Sequence, residues 1–262
     1  MTACPNCGTV GDSTFCPVCG QRQGPLVPTM SAWLREVANE LFLVDRTLPR
    51  TLGALVAQPG VLTREWLQGH RTKYLQPLRI YLTVALVFFA CWAIFGTPSE
   101  SWYTNRLQFM INAYVDGFNA GSRQRQLTGF SLSSDALARI NARLDLIIPL
   151  ISIPVVAFAS RMFIPELKRL LAGGFVFSLH IHAFALVLAV VIVSLKAIFG
   201  NVPGWFGFED ISIIIMVIYL TLAVRNAFAG SLRDSFGVAL GIALITVFVD
   251  AIVILAVYAV VA

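Results

Sequence analysis

FVFSLHIHAF, residues 175–184, lies inside an apolar run that extends from about Leu171 to Leu195. A run of this length can cross a lipid bilayer as a helix. Two histidines near the middle of such a span carry a solvation cost that ordinary apolar packing does not explain. The sequence therefore predicts a bundle of membrane helices, with a polar site at the two histidines of this run.

The two histidines of this helix point in different directions, because residues two apart on a helix are separated by about 200°. His182 falls on a stripe of mostly small residues, and such stripes are where membrane helices pack closely. The other members of the stripe are Gly174, Ser178, Ala185 and Ala189. His180 shares its side with bulkier, more lipid-like residues, so we expect His182 to be the histidine that faces the bundle interior.

The composition is that of an integral membrane protein. Of the 262 residues, 57% are hydrophobic and only 13% are charged, whereas about 25% of the residues in soluble domains are charged. The net charge of +5 favours contact with anionic lipid headgroups. No basic run is dense enough to indicate nucleic acid binding, and we expect no signal peptide because no basic and then apolar leader opens the chain.

Residues 1–24 are predicted to form a separate module built on two CxxC-Gly sequences, the first with Cys4 and Cys7 and the second with Cys16 and Cys19. In each, two thiolates reach one ion while the glycine permits a tight turn. Four thiolates in tetrahedral geometry select zinc and leave no open coordination position, so we expect a structural zinc ribbon. Two disulfides or a redox-active CxxC are the alternatives. Free thiolates indicate a reducing, cytosolic compartment.

Residues 25–76 are predicted to be a linker followed by amphipathic helices at the membrane interface. Residues 31–42 and 51–57 have helical patterns, and the first of these is too short and too polar to span. Basic residues then lie beside aromatic ones, which is typical of interfacial anchoring. The candidate headgroup contacts are Arg64, Arg71, Lys73 and Arg79. They belong either to a helix on the inner membrane surface or to a specific headgroup-binding groove.

Residues 77–262 are predicted to form the transmembrane bundle, with about five spans. These are residues 77–96, 145–164, the histidine helix, 211–228 and 236–262. Pro149 and Pro154 break the pattern of the second span and permit a kink. We interpret the intervening residues 97–145 as two amphipathic helices folded onto the bilayer or over the bundle. The predicted fold class is therefore an all-α membrane bundle with a small N-terminal zinc ribbon.

The distribution of basic residues predicts the orientation of the chain in the membrane. If the chain has five spans, most of the 19 Lys and Arg residues lie on the same side of the membrane as the N-terminus. Cytoplasmic segments carry the excess of Lys and Arg. We therefore expect the N-terminus in the cytosol, where thiolates remain reduced, and the C-terminus outside.

Asp250 lies at the centre of the last predicted span. An unpaired carboxylate at mid-membrane costs at least about 2.5 kcal/mol, so Asp250 needs a partner or a proton. His182 is the nearest candidate partner by depth. The alternative is that Asp250 stays protonated and bonds a hydroxyl such as that of Thr246. The candidate intramembrane polar site therefore consists of His180, His182, Tyr219 and Asp250.

The chain resembles a known family at several ordered motifs. They are the CPxCG pair that ends in Gly20-Gln21, the sequence DRTL at residues 45–48, the pattern GxRxxYxxPxRxYL at residues 69–82, and SLHxHAF at residues 178–184. In these it resembles the bacterial membrane-protein family catalogued as domain of unknown function 3667, which often carries an N-terminal zinc ribbon. The chain departs from the family at His70, where the family has lysine. The resemblance supports the architecture and implies no activity.

Two functions are compatible with these features. The first is a membrane protein whose zinc ribbon is a cytosolic docking module for a protein partner. The second is a transporter or lipid-handling protein that uses His182 and Asp250, because ionisable groups inside a membrane mark pathways. A metal-dependent enzyme with His180, His182 and Asp250 as ligands is disfavoured, because histidines two apart on a helix diverge. We predict no catalytic residues.

Overall fold

A computed structural model describes residues 2–11, 13–22, 29–33, 47–95, 134–199 and 208–261. The amphipathic helix predicted at residues 31–42 lies outside the described residues beyond Trp33, and so does the first of the two helices predicted within residues 97–145. The described part of the chain is mostly helical, with one small two-stranded sheet near its N-terminus.

The sheet belongs to the cysteine module and is very short. Strand β1, Thr2–Ala3, pairs antiparallel with β2, Val10–Gly11. A single bridge between Phe15 and Arg22 closes the second half of the module. So small an arrangement has almost no apolar core, so metal ligation is the main interaction available to stabilise it.

The helices are, in chain order, α1 (Leu48–Ala57), α2 (Val61–Leu67), α3 (Pro77–Phe95), α4 (Ser134–Phe163), a 3-10 turn (Pro165–Leu167), α5 (Leu171–Phe199), α6 (Phe208–Phe228) and α7 (Leu232–Val261). Four segments of the described chain are long and apolar enough to cross a membrane. They are α3, α5, Ile211–Phe228 in α6 and Leu232–Ile254 in α7. A mostly helical protein with four candidate membrane-spanning helices is therefore confirmed. The fifth span stays a prediction, because the apolar part of α4, Ile148–Phe163, is shorter.

Helix α4 contains both the second helix predicted within residues 97–145 and the second predicted span, which the sequence pattern separates. It begins at Ser134 and continues through Pro149 and Pro154 to Phe163. Residue 145, where we placed the start of the second span, lies inside this helix. Proline removes one backbone hydrogen bond, but a membrane helix can continue past it where neighbouring helices and side chains compensate. Helix α4 has such neighbours, since it packs against both α5 and α7.

Helix α5 is the element with the most neighbours. It packs on α3 and α4, and it also contacts α2 and α6, while α7 packs on α4 and α6. The close approach of α4 and α5 depends on Gly174, because a Cβ atom there would lie 2.8 Å from the carbonyl oxygen of Ala157. The small-residue stripe of α5 therefore faces α4, as close packing of membrane helices requires.

Helices α1 and α2 form a hairpin that packs against the bundle. Its turn, Pro59-Gly60, lies against α6, and Asn226 of α6 donates a hydrogen bond to the carbonyl oxygen of Pro59 at 2.9 Å. Thr51 and Leu55 of α1 are buried. One side of residues 51–57 thus packs against protein, while the interfacial position of this stretch stays a prediction.

Candidate metal centre and intramembrane cavity

The four cysteines of the N-terminal module form one cluster. Their sulfur atoms all lie within 4.8 Å of one another, with 3.7 Å between Cys4 and Cys19 and 3.5 Å between Cys7 and Cys16. Tetrahedral zinc with Zn–S bonds of about 2.3 Å requires sulfur atoms about 3.8 Å apart. The soft donor set and this spacing fit a closed four-thiolate metal site. All four residues are free cysteines rather than disulfides.

The two knuckles have the same backbone geometry. Gly8 donates a backbone hydrogen bond to the carbonyl oxygen of Cys4 at 2.8 Å, and Gly20 donates one to Cys16 at 2.9 Å. The φ angles of the two glycines are +77° and +71°. Residues with a Cβ atom rarely adopt this conformation, which explains why glycine follows each CxxC.

Cys7 is the most exposed of the four ligands. Its sulfur lies 3.3 Å from Oγ1 of Thr9. Hydrogen bonds from the side chain and then the backbone of Thr9 lower the pKa of Cys7 to about 6. Thr9 therefore favours the thiolate, which is the form that binds metal.

A second site lies between the helices, where residues of α3 to α7 line a cavity of about 180 Å³. Its polar lining residues are Tyr81, Ser152, His182, Thr246 and Asp250, and the remaining lining is apolar. The structure thus places His182 and Asp250, from α5 and α7, on the wall of one cavity. Neither His180 nor Tyr219 lines it.

Both ring nitrogens of His182 are used by neighbouring groups. Nδ1 lies 2.8 Å from the carbonyl oxygen of Ser178, one turn earlier, and Nε2 lies 2.9 Å from Oγ of Ser152 on α4. A carbonyl oxygen only accepts, so Nδ1 carries the hydrogen, and in the neutral ring Nε2 accepts from the Ser152 hydroxyl. The ring is therefore oriented by α4 and by its own helix.

Asp250 has neither of the partners that we weighed from the sequence. Among the described residues no hydrogen bond joins it to His182. The hydroxyl of Thr246 donates to the carbonyl oxygen of Ile242 at 2.8 Å instead. Oδ1 of Asp250 is buried and has no hydrogen-bond partner within the part of the chain that the structure describes.

His180 lies in the protein interior with 4% of its surface exposed. Its Nδ1 is 2.9 Å from Oγ1 of Thr63 on α2. The expectation that its side of α5 is the more lipid-like one is therefore wrong. That side is covered by the α1–α2 hairpin and by α6, where the ring of Phe184 stacks on Tyr219 with the ring centroids 3.5 Å apart.

Tyr219 holds the α1–α2 hairpin to α6. Its hydroxyl donates a hydrogen bond to the carbonyl oxygen of Leu55 at 2.8 Å, and the residue is buried. The four candidate polar residues thus separate into two pairs. His182 and Asp250 line the cavity, whereas His180 and Tyr219 contact the hairpin.

Three of the four candidate headgroup residues, Arg71, Lys73 and Arg79, interact with other groups of this protein. The guanidinium of Arg71 lies 5.2 Å from the centre of the Trp66 ring. Nζ of Lys73 lies 3.4 Å from a carboxylate oxygen of Glu65. Arg64 is exposed, and Arg79 is half-buried. His70, at the position where the family has lysine, lies 3.1 Å from the same Glu65 oxygen.

Sequence reasoning missed the polar partners of the two histidines. Thr63 and Ser152 are ordinary hydroxyl residues in their own segments, and nothing local shows that each meets an imidazole. Ser152 carries one weak signal, because it is a polar residue in an apolar run between Pro149 and Pro154. Polar residues inside membrane helices tend to hydrogen-bond across to other helices.

Fold and sites together define a mostly helical protein with four candidate membrane spans and a four-cysteine cluster that fits a metal ion. Residues 45–89 match the model of the family described as "Protein of unknown function (DUF3667)", which confirms the resemblance over this segment. In the structure the matched residues comprise α1, α2, the following loop and most of α3. No curated protein and no solved structure matches the chain significantly.

Proposed function

We propose that this protein binds a small amphipathic molecule in its interhelical cavity and acts as a carrier or lipid-handling protein of the bacterial cytoplasmic membrane. The observation that carries the proposal is the cavity itself, which has Asp250 and His182 on an otherwise mostly apolar wall. Its volume of about 180 Å³ is similar to that of an engineered apolar cavity of about 150 Å³ that binds benzene.

The charge of the lining supports a ligand with a polar or cationic end. Among the described residues, those that line the cavity include one carboxylate, Asp250, and no lysine or arginine. Because Oδ1 of Asp250 has no partner among the described residues, its charge is balanced by a proton or by a positive group on a ligand. An amine or hydroxyl group beside Asp250 would leave the apolar part of the ligand against the apolar wall.

Binding of hexylamine and hexanol to the purified protein in lipid nanodiscs tests this proposal. We expect saturation-transfer NMR to detect binding of hexylamine, with an affinity about tenfold lower in Asp250→Asn. A hydrogen bond to a charged group contributes about 1.5–3 kcal/mol, enough for a change of this size. Asp234→Asn is the matched control, since Asp234 lies on the same helix and is exposed.

The neutral alcohol separates charge recognition from apolar binding. Hexanol occupies the same apolar wall, so its binding is expected to change little between the wild-type protein and Asp250→Asn. The cavity is not a site for this class of ligand if neither compound binds, or if Asp250→Asn and Asp234→Asn both bind hexylamine with the affinity of the wild type.

A docking role for the ribbon is the second candidate, and it has a separate observation in its favour. Val10, Phe15 and Val18 are 60%, 59% and 70% exposed. In so small a module these apolar side chains would be expected to be buried in its core. We propose that they contact a cytosolic protein, with zinc as the bound ion. Val18→Glu should then abolish co-purification of that protein without changing the zinc content, whereas Thr14→Glu, also on the exposed surface, should not.

We also propose that the protein contacts anionic lipid headgroups. Arg64, Arg71, Lys73 and Arg79 flank the start of α3, and Arg64 is the exposed member of this set. Neutralising Arg64 to glutamine should lower the affinity of the detergent-solubilised protein for vesicles that contain anionic lipid. Vesicles of zwitterionic lipid should show no difference.

A further inference from the structure

Gln21 joins the cysteine module to the membrane bundle through both ends of its side-chain amide. Nε2 donates a hydrogen bond to the carbonyl oxygen of Gly69 at 2.6 Å, and Oε1 accepts one from the backbone N–H of Arg71 at 3.1 Å. Gln21 is only 5% exposed. The contact therefore lies in a buried place, where losing a hydrogen-bond partner is costly.

The backbone of Gln21 is part of the second metal knuckle. Its carbonyl oxygen accepts a hydrogen bond from the N–H of Cys16 at 2.8 Å, and it follows directly after Cys19 and Gly20. Without metal, a module with so little core loses most of what holds its shape. The position of the Gln21 side chain therefore depends on metal binding by the cysteines.

The residues that Gln21 holds are in turn connected to α5. Gly69 and Arg71 belong to the loop between α2 and α3, residues 68–76, and the Arg71 guanidinium lies over the ring of Trp66. Trp66 is buried in a cluster with residues of α5. One turn before Trp66, Thr63 contacts His180. A continuous set of contacts thus runs from the metal knuckle to the central helix.

We propose that the metal-loaded module acts as a clasp, in which Gln21 holds Gly69 and Arg71 in the loop at residues 68–76, and that loss of the metal releases this part of the loop. Gln21 is then a positioning residue that makes the membrane domain responsive to the metal state of the cysteines. This inference does not depend on the proposed cavity ligand or on a docking partner.

Hydrogen exchange of the full-length protein in nanodiscs tests the clasp. Metal removal by a chelator and the Gln21→Ala variant should each speed exchange of the Arg71 amide roughly fivefold, since a net hydrogen bond contributes about 1 kcal/mol. In Gln21→Ala, metal removal should then have no further effect on this amide. Thr14→Ala, an exposed change in the same module, should leave the exchange of Arg71 unaltered.

Two results would overturn the proposal. One is an Arg71 amide that stays protected in metal-loaded Gln21→Ala, and the other is wild-type protection that survives metal removal. If the alanine variant does not retain about one metal ion per chain, Gln21→Met decides the question. It keeps the length of the side chain but removes both the acceptor for the Arg71 amide and the donor to Gly69. A metal-loaded methionine variant whose Arg71 amide exchanges like that of the wild type contradicts the clasp.

Discussion

At the scale of single residues, two histidines on one helix have different environments. His182 is oriented by Ser178 and Ser152 and faces a cavity, while His180 is buried against Thr63. The difference follows from helix geometry, since residues two apart lie on different sides. A polar side chain in a bilayer needs a hydrogen-bond partner. The partner from another helix is Ser152 of α4 for His182 and Thr63 of α2 for His180.

Removing the partner of His180 should destabilise the protein. In Thr63→Val the shape is kept, but Nδ1 of a buried imidazole loses its hydrogen bond, at a cost of about 1–3 kcal/mol. The midpoint of thermal unfolding in mild detergent should fall accordingly. Thr72→Val is the control, because Thr72 is exposed. Equal midpoints for the two variants would show that the Thr63–His180 contact contributes nothing.

Replacing one cysteine should abolish tight metal binding. The purified protein should contain about one zinc per chain, as a four-thiolate site requires, and Cys7→Ser should contain much less. Elemental analysis after dialysis measures this directly. Cys91→Ser, which alters a free cysteine of α3 outside the cluster, should keep its zinc. Undiminished zinc in Cys7→Ser would contradict the assignment of the ligands.

At the scale of secondary-structure elements, the α1–α2 hairpin is the least expected feature. It is held to α6 by the Tyr219–Leu55 and Asn226–Pro59 hydrogen bonds. It forms the first part of the family-matched segment, residues 45–89. The hairpin is thus packed on the bundle through specific hydrogen bonds.

The turn of this hairpin should not tolerate a side chain. Gly60 has a φ angle of +81°, and a Cβ atom there would overlap the carbonyl group of Ala223 on α6. The left-handed conformation alone costs a residue with a Cβ atom about 1–2 kcal/mol, so Gly60→Ala should destabilise the protein by more than about 2 kcal/mol. Unfolding in mixed micelles of increasing denaturing detergent would measure it.

Gly53 provides the matched control for that experiment. It lies inside α1, and a Cβ atom there would meet nothing within 4 Å. Alanine is a better helix former than glycine by about 0.8–1.0 kcal/mol, so Gly53→Ala should be neutral or stabilising. Similar losses in both variants would mean that the hairpin does not pack on α6 through its turn.

At the scale of the whole molecule, the number of spans decides on which side of the membrane the chain ends. Four spans are long enough by themselves, and the apolar part of α4 is the fifth candidate. An odd number of crossings places the two termini on opposite sides, and an even number places them on the same side. Helix α4 packs along α5 and α7, as a spanning helix would.

A reporter fused after Ala262 should distinguish five crossings from four. With the N-terminus in the cytosol and five spans, a reporter that is active only in the cytosol should be silent at this position. A reporter that is active only outside should give a signal there, and the two together control for expression. A strong cytosolic signal would mean that α4 does not cross.

The sequence alone determined the features that depend on local pattern. The spacing of Cys4, Cys7, Cys16 and Cys19 indicated one metal-binding module, since ligand spacing within a knuckle is a short-range property. The length of the apolar runs indicated five membrane helices, because bilayer thickness sets helix length, and four of them are long and apolar enough to cross a membrane in the described part of the chain. Periodicity also indicated that His182 lies on the close-packing stripe of α5.

Only the tertiary structure decided which distant residues meet. His180 and Thr63 are 117 residues apart, Tyr219 and Leu55 are 164 apart, and Gln21 and Gly69 are 48 apart. Helical periodicity gives the direction of a side chain on its own helix, but it does not say whether lipid or another helix lies there. The α1–α2 hairpin covers the bulky side of α5, so His180 is buried, while Asp250 lies beside a cavity where its Oδ1 has no hydrogen-bond partner among the described residues.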